Sequence, residues 1–327
     1  IYTELLKNSN AERRIDTMRI LSIFHDARMP WFLPRILVER KLYKESYKGR
    51  SPLKFCFTVD CEQSYGSADL PHEIDHIPVF LGRLGEMAES LEMKSTVFVQ
   101  GDLLEIFKDN LCELENKGHE IGIHGLHHEL WSHEKWFLKD VCAPIAERKK
   151  SVKKIWENIA ASGLKAVRAF RAPNLLIDVA SQRILKESGF EIDSSSAVML
   201  GKKPLPQMKD GLCKVPVSRD PMPHIRWKFC LPFGNYVVMN MYNFLKLPDH
   251  ELLGAIDRLR EYHRRNRIAP HLVFLCHSWE FQSRDGMDYP SGENFTELSK
   301  KLAMLKAHMD LEFMTLTELC TSLYANN

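Results

Sequence analysis

The sequence predicts an α/β fold, either a parallel (β/α) barrel or a doubly wound sheet, on two observations. From Pro52 onward short apolar runs alternate with longer amphipathic stretches of helical period, the repeated β-then-α pattern of a parallel sheet. Charged residues and histidines stand directly after several of the apolar runs, where a plain turn would more often use Gly, Asn or Ser. Both architectures place active residues at the C-terminal ends of strands.

Taken in order, Lys54 to Asp60 reads as a buried strand, Ile77 to Leu91 as a helix, and Ser95 to Val99 as a strand. Asp102 to Lys117 reads as a helix, Glu120 to Ile123 as a strand, and Phe137 to Ala161 as a long amphipathic helix. Val167 to Phe170 and Phe190 to Asp193 are short strands flanking a helix from Asp178 to Ser188. Leu212 to Tyr242, rich in Pro and aromatics, reads as strands and loops. Asp249 to Arg265 is a helix whose basic end suits a helix C-terminus. His271 to Cys276, Glu293 to His308, Leu311 to Met314 and Leu316 to Tyr324 complete the alternation. Residues 51–327 therefore form one domain, and residues 1–50 an N-terminal helical extension. In that extension a helical apolar rhythm from Glu4 to Ala27 precedes Met29-Pro30-Trp31-Phe32-Leu33-Pro34-Arg35 and a basic segment, Arg40 to Lys44. Aromatics beside Lys and Arg suggest peripheral membrane contact; a helix and strap packed on the main domain is the plainer reading.

Composition narrows the class. With 327 residues, 44% hydrophobic and 27% charged, the chain can bury a full core. A net charge of +2 gives no general surface for nucleic acid. Eight cysteines are scattered with no CxxC pair, which argues against a disulfide scaffold and for reduced thiols in a cytoplasm. No apolar run is long enough for a membrane span, and no signal-peptide core is read. The expected location is the cytoplasm, with the inner membrane face as the place the N-terminal segment could touch. Composition leaves the oligomeric state open.

Asp60 and Glu62 follow the first strand, His124 and His128 the third, Arg171 the fourth, and His277 the strand ending at Cys276. If Gly125 to His128 makes one helical turn, His124 and His128 face one side and can share a metal, with His127 pointing elsewhere. A divalent metal bound by two histidines needs a carboxylate beside them and an open position for water. On an extended chain Asp60 and Glu62 share a face and Cys61 points away. One carboxylate can hold the metal while the other accepts a proton. Cys61 is the third option as ligand.

Five segments in order resemble the polysaccharide deacetylase (NodB-like) family. Phe57-Thr58-Val59-Asp60 is similar to its first motif, and Gly118-His119-Glu120-Ile121-Gly122-Ile123-His124-Gly125-Leu126-His127-His128 to its second. Phe170-Arg171-Ala172-Pro173-Asn174, Gly189 to Ser195, and Leu275-Cys276-His277-Ser278-Trp279-Glu280 resemble the rest. The resemblance implies a distorted (β/α) barrel and a divalent metal, commonly zinc. It implies an enzyme that removes an acyl group, acetyl first, from the nitrogen of a carbohydrate; deformylation of an amino sugar is chemically close. A non-catalytic carbohydrate-binding module on the same fold is the rival from another class. His124 and His128 match the histidine ligands, Asp60 the general base, Arg171 the arginine that orients it, and His277 the acid for the leaving amine. Cys61 and Glu62 replace the usual second Asp and Gly, as in D-x-E branches of the family. Asp60 and Glu62 then divide the roles of base and ligand, in either order. Asp193 or Glu280 could hold His277 protonated. Tyr65, Pro173, Asn174 and Trp279 are candidates for the substrate site, with Trp131 and Trp136 as further aromatics that could line it or pack in the core.

Overall fold

The computed structural model describes residues 21, 23, 24, 26, 28–43, 47, 49, 51–63, 74–132, 142–195, 204–283 and 289–324. Its centre is a curled, largely parallel sheet. The strands are β1 (Leu53–Cys61), β2 (Ser95–Val99), β3 (Glu120–Ile123), β4 (Ala169–Phe170), β5 (Ile192–Asp193), β6 (Gln207–Lys209), β7 (Leu212–Lys214), β10 (His271–His277) and β11 (Leu311–Phe313). They run in the order β10-β1-β2-β3-β4-β5-β7-β6, with β11 also on β1. Between β7 and β10 the circle is crossed by irregular chain: Val215 N donates to Asp193 O at 2.9 Å and Ser218 N to Val273 O at 3.0 Å. This is the distorted (β/α) barrel that the family resemblance implies, and of the two architectures the alternating pattern allows it is the barrel rather than the doubly wound sheet. A separate hairpin joins β8 (His224–Lys228) to β9 (Leu231–Asn235).

The period-2 alternation of a strand divides the core in two. From β1, Phe55, Phe57, Val59 and Cys61 point outward, where they join Ile77, Phe80 and Leu84 of the helix His76–Leu91 in the larger apolar cluster. Cys56 points inward and packs with Phe98, Ala169, Ile192, Cys213 and Val273. Each large apolar side chain withdrawn from water contributes roughly 1.5–3 kcal/mol. The closing helix, Leu316–Tyr324, plugs the N-terminal end of the barrel with Leu316, Leu319 and Cys320. Its first turn is tied to buried Glu120, which accepts from Thr317 N at 3.1 Å, Thr317 Oγ1 at 2.6 Å and Thr96 Oγ1 at 2.9 Å.

Several sequence expectations are revised. Cys213 and Cys320, 107 residues apart, form a disulfide, so the chain is not one of uniformly reduced thiols. Only the fold brings these two buried sulfurs together, which is why spacing did not signal the pair. Asp102 to Lys117 is not one helix but a short 3-10 turn, Gly101–Leu103, followed by the helix Lys108–Asn116. The long helix runs Ile145–Ser162, and its expected beginning falls largely on residues 133–141, outside those described. Residues expected as a strap form a 3-10 turn, Pro30–Phe32, leading into helix α1, Leu33–Leu42. Prolines in the first turn of each suit helix starts, where their missing N–H costs nothing. Most of the stretch Glu4 to Ala27 lies outside the described residues.

His263, in the last turn of the helix Asp249–Arg265, stacks on His271 at the start of β10, ring centroids 3.9 Å apart and planes 10° from parallel. Both are buried. His271 N donates to His263 Nδ1 at 3.3 Å, which requires that nitrogen to be an acceptor. Burial holds His263 well below the ordinary imidazole range and His271 down to about 4. An unfolded chain takes up protons below about pH 6.5 that this native pair refuses, so stability rises with pH across that window. Thermal unfolding at pH 7 and pH 5 should show a loss at pH 5 of about 2 kcal/mol from His271, with a further loss in the same direction from His263. An unchanged melting temperature over that interval would contradict a neutral native pair.

Candidate metal centre and active site

The inward-facing positions at the C-terminal strand ends bring the reactive groups together. In the β1–β10 register Asp60 lies opposite His277, and in the β1–β2 register opposite Phe98. The ladder continues one residue past the other strands: His124 N donates to Val99 O at 2.8 Å and Arg171 N to Ile123 O at 2.8 Å. Asp60, His124, Arg171 and His277 therefore share one rim of the barrel.

Glu62, His124 and His128 each offer a ligand atom, all within 4.8 Å of one another. Glu62 Oε2 is 3.1 Å from His124 Nε2 and 3.0 Å from His128 Nε2. It is buried and receives no hydrogen bond. His124 Nδ1 is 3.0 Å from Arg171 O, the partner that puts the proton on Nδ1 and leaves Nε2 as an electron-pair donor. Trp279 Nε1 donates to Glu62 Oε1 at 3.0 Å and so turns Oε2 toward the imidazoles. Burial would raise the Glu62 carboxyl, but His124 and His128 hold it well below the usual carboxylate range. One carboxylate and two imidazoles, with His128 at the partly exposed side, fit a divalent cation such as zinc.

The two histidines do not meet through a helical turn. Gly125 and His128 both adopt positive φ, +71° and +62°, and Glu129 folds the loop by accepting from Leu126 N at 3.1 Å and His127 N at 2.8 Å. A carboxylate that collects adjacent backbone N–H groups bends the chain in place of a helix start. A side chain at Gly125 would in addition press on Pro173 at 3.2 Å. His127 turns away, its Nδ1 2.8 Å from Asp102.

Beside this cluster lies a second group. Arg171 is fully buried; its Nη1 donates to Asp60 Oδ1 at 2.8 Å and its Nη2 to Ser194 Oγ at 2.8 Å. Its guanidinium sits 4.2 Å over the Phe98 ring, a favourable cation–π position. Asp60 Oδ2 faces His124 Nε2 and His277 Nε2, each 3.9 Å away. His277 N donates to Glu280 Oε2 at 2.7 Å, and its Nδ1 lies 3.4 Å from the same oxygen. Burial pulls the His277 imidazolium down, but Glu280, Glu62 and Asp60 outweigh it and hold the group up at about 9.

The other expected residues divide. Glu280, rather than Asp193, is the carboxylate beside His277; Asp193 is engaged by Gln182 Nε2 at 2.9 Å and Ser195 N at 2.8 Å. Cys61 is buried in the outer core, and burial pushes its thiol up, so it does not join the ligand cluster. Pro173 is buried and Asn174 exposed in a left-handed conformation, φ +58°. Trp279 stacks on His277 at 4.9 Å. Trp131 is fully buried against Phe170 and lines no surface. Tyr65 and Trp136 lie outside the described residues. Glu129 had no sequence signal beyond being polar next to a motif, and Ser194, inside the Gly189–Ser195 segment, was not singled out although its hydroxyl accepts from Arg171.

The rim thus carries a Glu-His-His cluster able to hold a divalent ion, beside an Asp-Arg pair and a histidine, on a (β/α) barrel. Residues 78–192 match the family model described as polysaccharide deacetylase. A Mycobacterium smegmatis protein assigned to the polysaccharide deacetylases has the same fold, with TM-score 0.56, 18% identity, 86% of this chain and 94% of that chain covered. So does PuuE allantoinase, with TM-score 0.56, 12% identity, and 86% and 93% covered. No curated protein sequence matches the chain. With its ordered motifs, its matched segment and its barrel fold, the chain is similar to the polysaccharide deacetylases.

Elemental analysis of the zinc-supplemented protein should find about one divalent ion per chain, lost when His124→Ala and His128→Ala are combined. Trp279→Phe, which removes the N–H on Glu62, should weaken metal affinity about 10-fold. Glu280→Gln removes the main carboxylate raising His277. The alkaline limb of a pH–rate profile that needs protonated His277 should therefore move to lower pH; a limb that stays in place would remove Glu280 from that role.

Proposed function

We propose that this chain is a metal-dependent hydrolase that removes an N-acyl group, N-acetyl in the first instance, from an amino sugar in a glycan or an activated precursor. The observation that carries this reading is the placement of Asp60 and His277 beside a Glu62-His124-His128 cluster able to hold a divalent ion. Such an ion, zinc above all, supplies Lewis acidity: it polarises an amide carbonyl and lowers the pKa of water. The protein's own groups do the rest. Asp60, held by Arg171, takes the proton of the attacking water at Oδ2. Arg171 fixes the plane of that carboxylate through its Nη1, which donates to Asp60 Oδ1 at 2.8 Å and leaves Oδ2 free to face the cluster. His277, held protonated chiefly by Glu280, gives its proton to the departing nitrogen. Asp60 is thus the base and Glu62 the ligand. The Trp279 ring, stacked on His277 at the partly exposed rim, offers an apolar surface for a sugar face.

The test is acetate release by the zinc-loaded protein from N-acetylglucosamine oligomers and from a nucleotide-linked N-acetyl sugar, with formate release from N-formyl sugars assayed beside it. Asp60→Asn should keep the metal and lower kcat by about 10²–10⁴-fold. Hydrolysis of allantoin instead would keep the chemistry and change the substrate class. Metal and glycan binding with no release from any substrate would refute the hydrolase and leave a binding module.

A further inference from the structure

The β8–β9 hairpin stands apart from the main sheet, and α1 with the turn before it covers one side through Ile36 and Phe32, packed near Tyr236 and Ile225. Its closed end is left bare. Phe229 is 93% exposed and Trp227 71%, with Leu231 exposed beside them. Next to the hairpin, where Gly234 N donates to Arg28 O at 3.1 Å, Phe24 and Trp31 form a second exposed aromatic pair, centroids 5.7 Å apart. The turn itself is costly: Phe229 and Cys230 take φ of +48° and +60°, a conformation that two-residue hairpin turns normally give to Asn and Gly. A non-glycine residue held there is strained, and Phe229, almost wholly in solvent, recovers nothing by packing.

The exposed charge around these side chains is mostly positive; Asp26, between Phe24 and Trp31, is buried and paired with Arg28 at 2.6 Å. Residues 224–235 contain Arg226 and Lys228 and no carboxylate. Residues 28–43 contain one carboxylate, Glu39, which is engaged by Tyr236 Oη at 2.9 Å and Arg35 at 3.6 Å. Exposed aromatics flanked by Lys and Arg on a protruding tip complement an anionic lipid surface, where the rings sit among the headgroups and the cations meet phosphate. Among the described residues no helix is long and apolar enough to cross a membrane, so the contact is with the surface.

We propose that the closed end of the β8–β9 hairpin, with the start of α1, docks this protein on a bilayer containing anionic lipids, Trp227, Phe229 and Leu231 entering the headgroup layer. The inference goes beyond the hydrolase reading and does not depend on it. The hairpin leaves the barrel where Asp220 N pairs with Val237 O, on the His271 side of the Asn240–Leu275 bridge. The Glu62-His124-His128 cluster lies toward the other end of β10, so docking turns the reactive rim away from the lipid.

The test is sedimentation of the full chain with phosphatidylcholine vesicles and with vesicles that also contain phosphatidylglycerol. Binding is expected to the second, with a blue shift of tryptophan emission and release at high salt. Trp227→Ser with Phe229→Ser should lower partitioning by about 10-fold or more, and Arg226→Gln with Lys228→Gln should abolish the preference for anionic vesicles. Both variants should keep the wild-type melting temperature and metal content, since the altered side chains are solvent-exposed. No binding to anionic vesicles, or equal binding by wild type and variants, would overturn the proposal. So would lipid-free self-association of the wild type that the aromatic substitutions remove, which would assign the patch to a second copy of this chain.

Discussion

Arg171 carries its charge where no water reaches, and Asp60 is the carboxylate that answers it, at 2.8 Å. A buried guanidinium without its partner would cost several kcal/mol, because the low-dielectric interior stabilises neither ion alone. The pair can exist only if β1 and β4 deliver their ends to the same rim, and that requires β2 and β3 between them in register. Phe98 of β2 supplies the ring under the guanidinium, and Ser194, just past β5, supplies its remaining short contact. A slip of one residue in any of these strands would turn the inward set outward and bury an unpaired charge. The ion pair therefore ties the barrel's register to the site's geometry.

Around that pair the rim is divided by charge partner. Glu62 is held ionised by two imidazoles, and Trp279 fixes which of its oxygens faces them. His277 sits within reach of three carboxylates and is held as a cation. Asp60 lies between, one oxygen committed to Arg171 and the other facing both histidines. An Asp-x-Glu pair at the end of a strand achieves this separation because residues two apart share a face, while Cys61 between them is drawn into the outer core. The same alternation that builds the hydrophobic layers sorts the two carboxylates into two environments.

The barrel's two ends are built differently. At the His277 end polar groups converge and the rim is partly open. At the opposite end the last helix fills the barrel and is held by Glu120 and by the Cys213–Cys320 disulfide. Near that closed end, α1 meets the helix Asp249–Arg265 through Tyr43 on Tyr262 and Arg265 on Leu42 O at 3.0 Å. A docking surface on this side leaves the His277 end of the barrel free.

Much of this was legible in the sequence. The β-then-α alternation gives the parallel fold. Asp60 and Glu62 on one face follow from the two-residue period, and the positions of His124, Arg171 and His277 follow from strands that end just before them. Local rules suffice there because secondary structure and side-chain direction are set by neighbours in the chain. They fail where the contact is distant. No local pattern joins Cys213 to Cys320, selects Glu280 over Asp193, or commits the Trp279 N–H to Glu62, since each is decided by which strand ends lie side by side. The bend at Gly125–His128 escaped helical reasoning because Glu129 captures the backbone N–H groups first. The sequence determined the fold class and the chemical cast; the tertiary structure alone decided which groups touch, because register and burial, not spacing, fix the distances on which charge and metal binding depend.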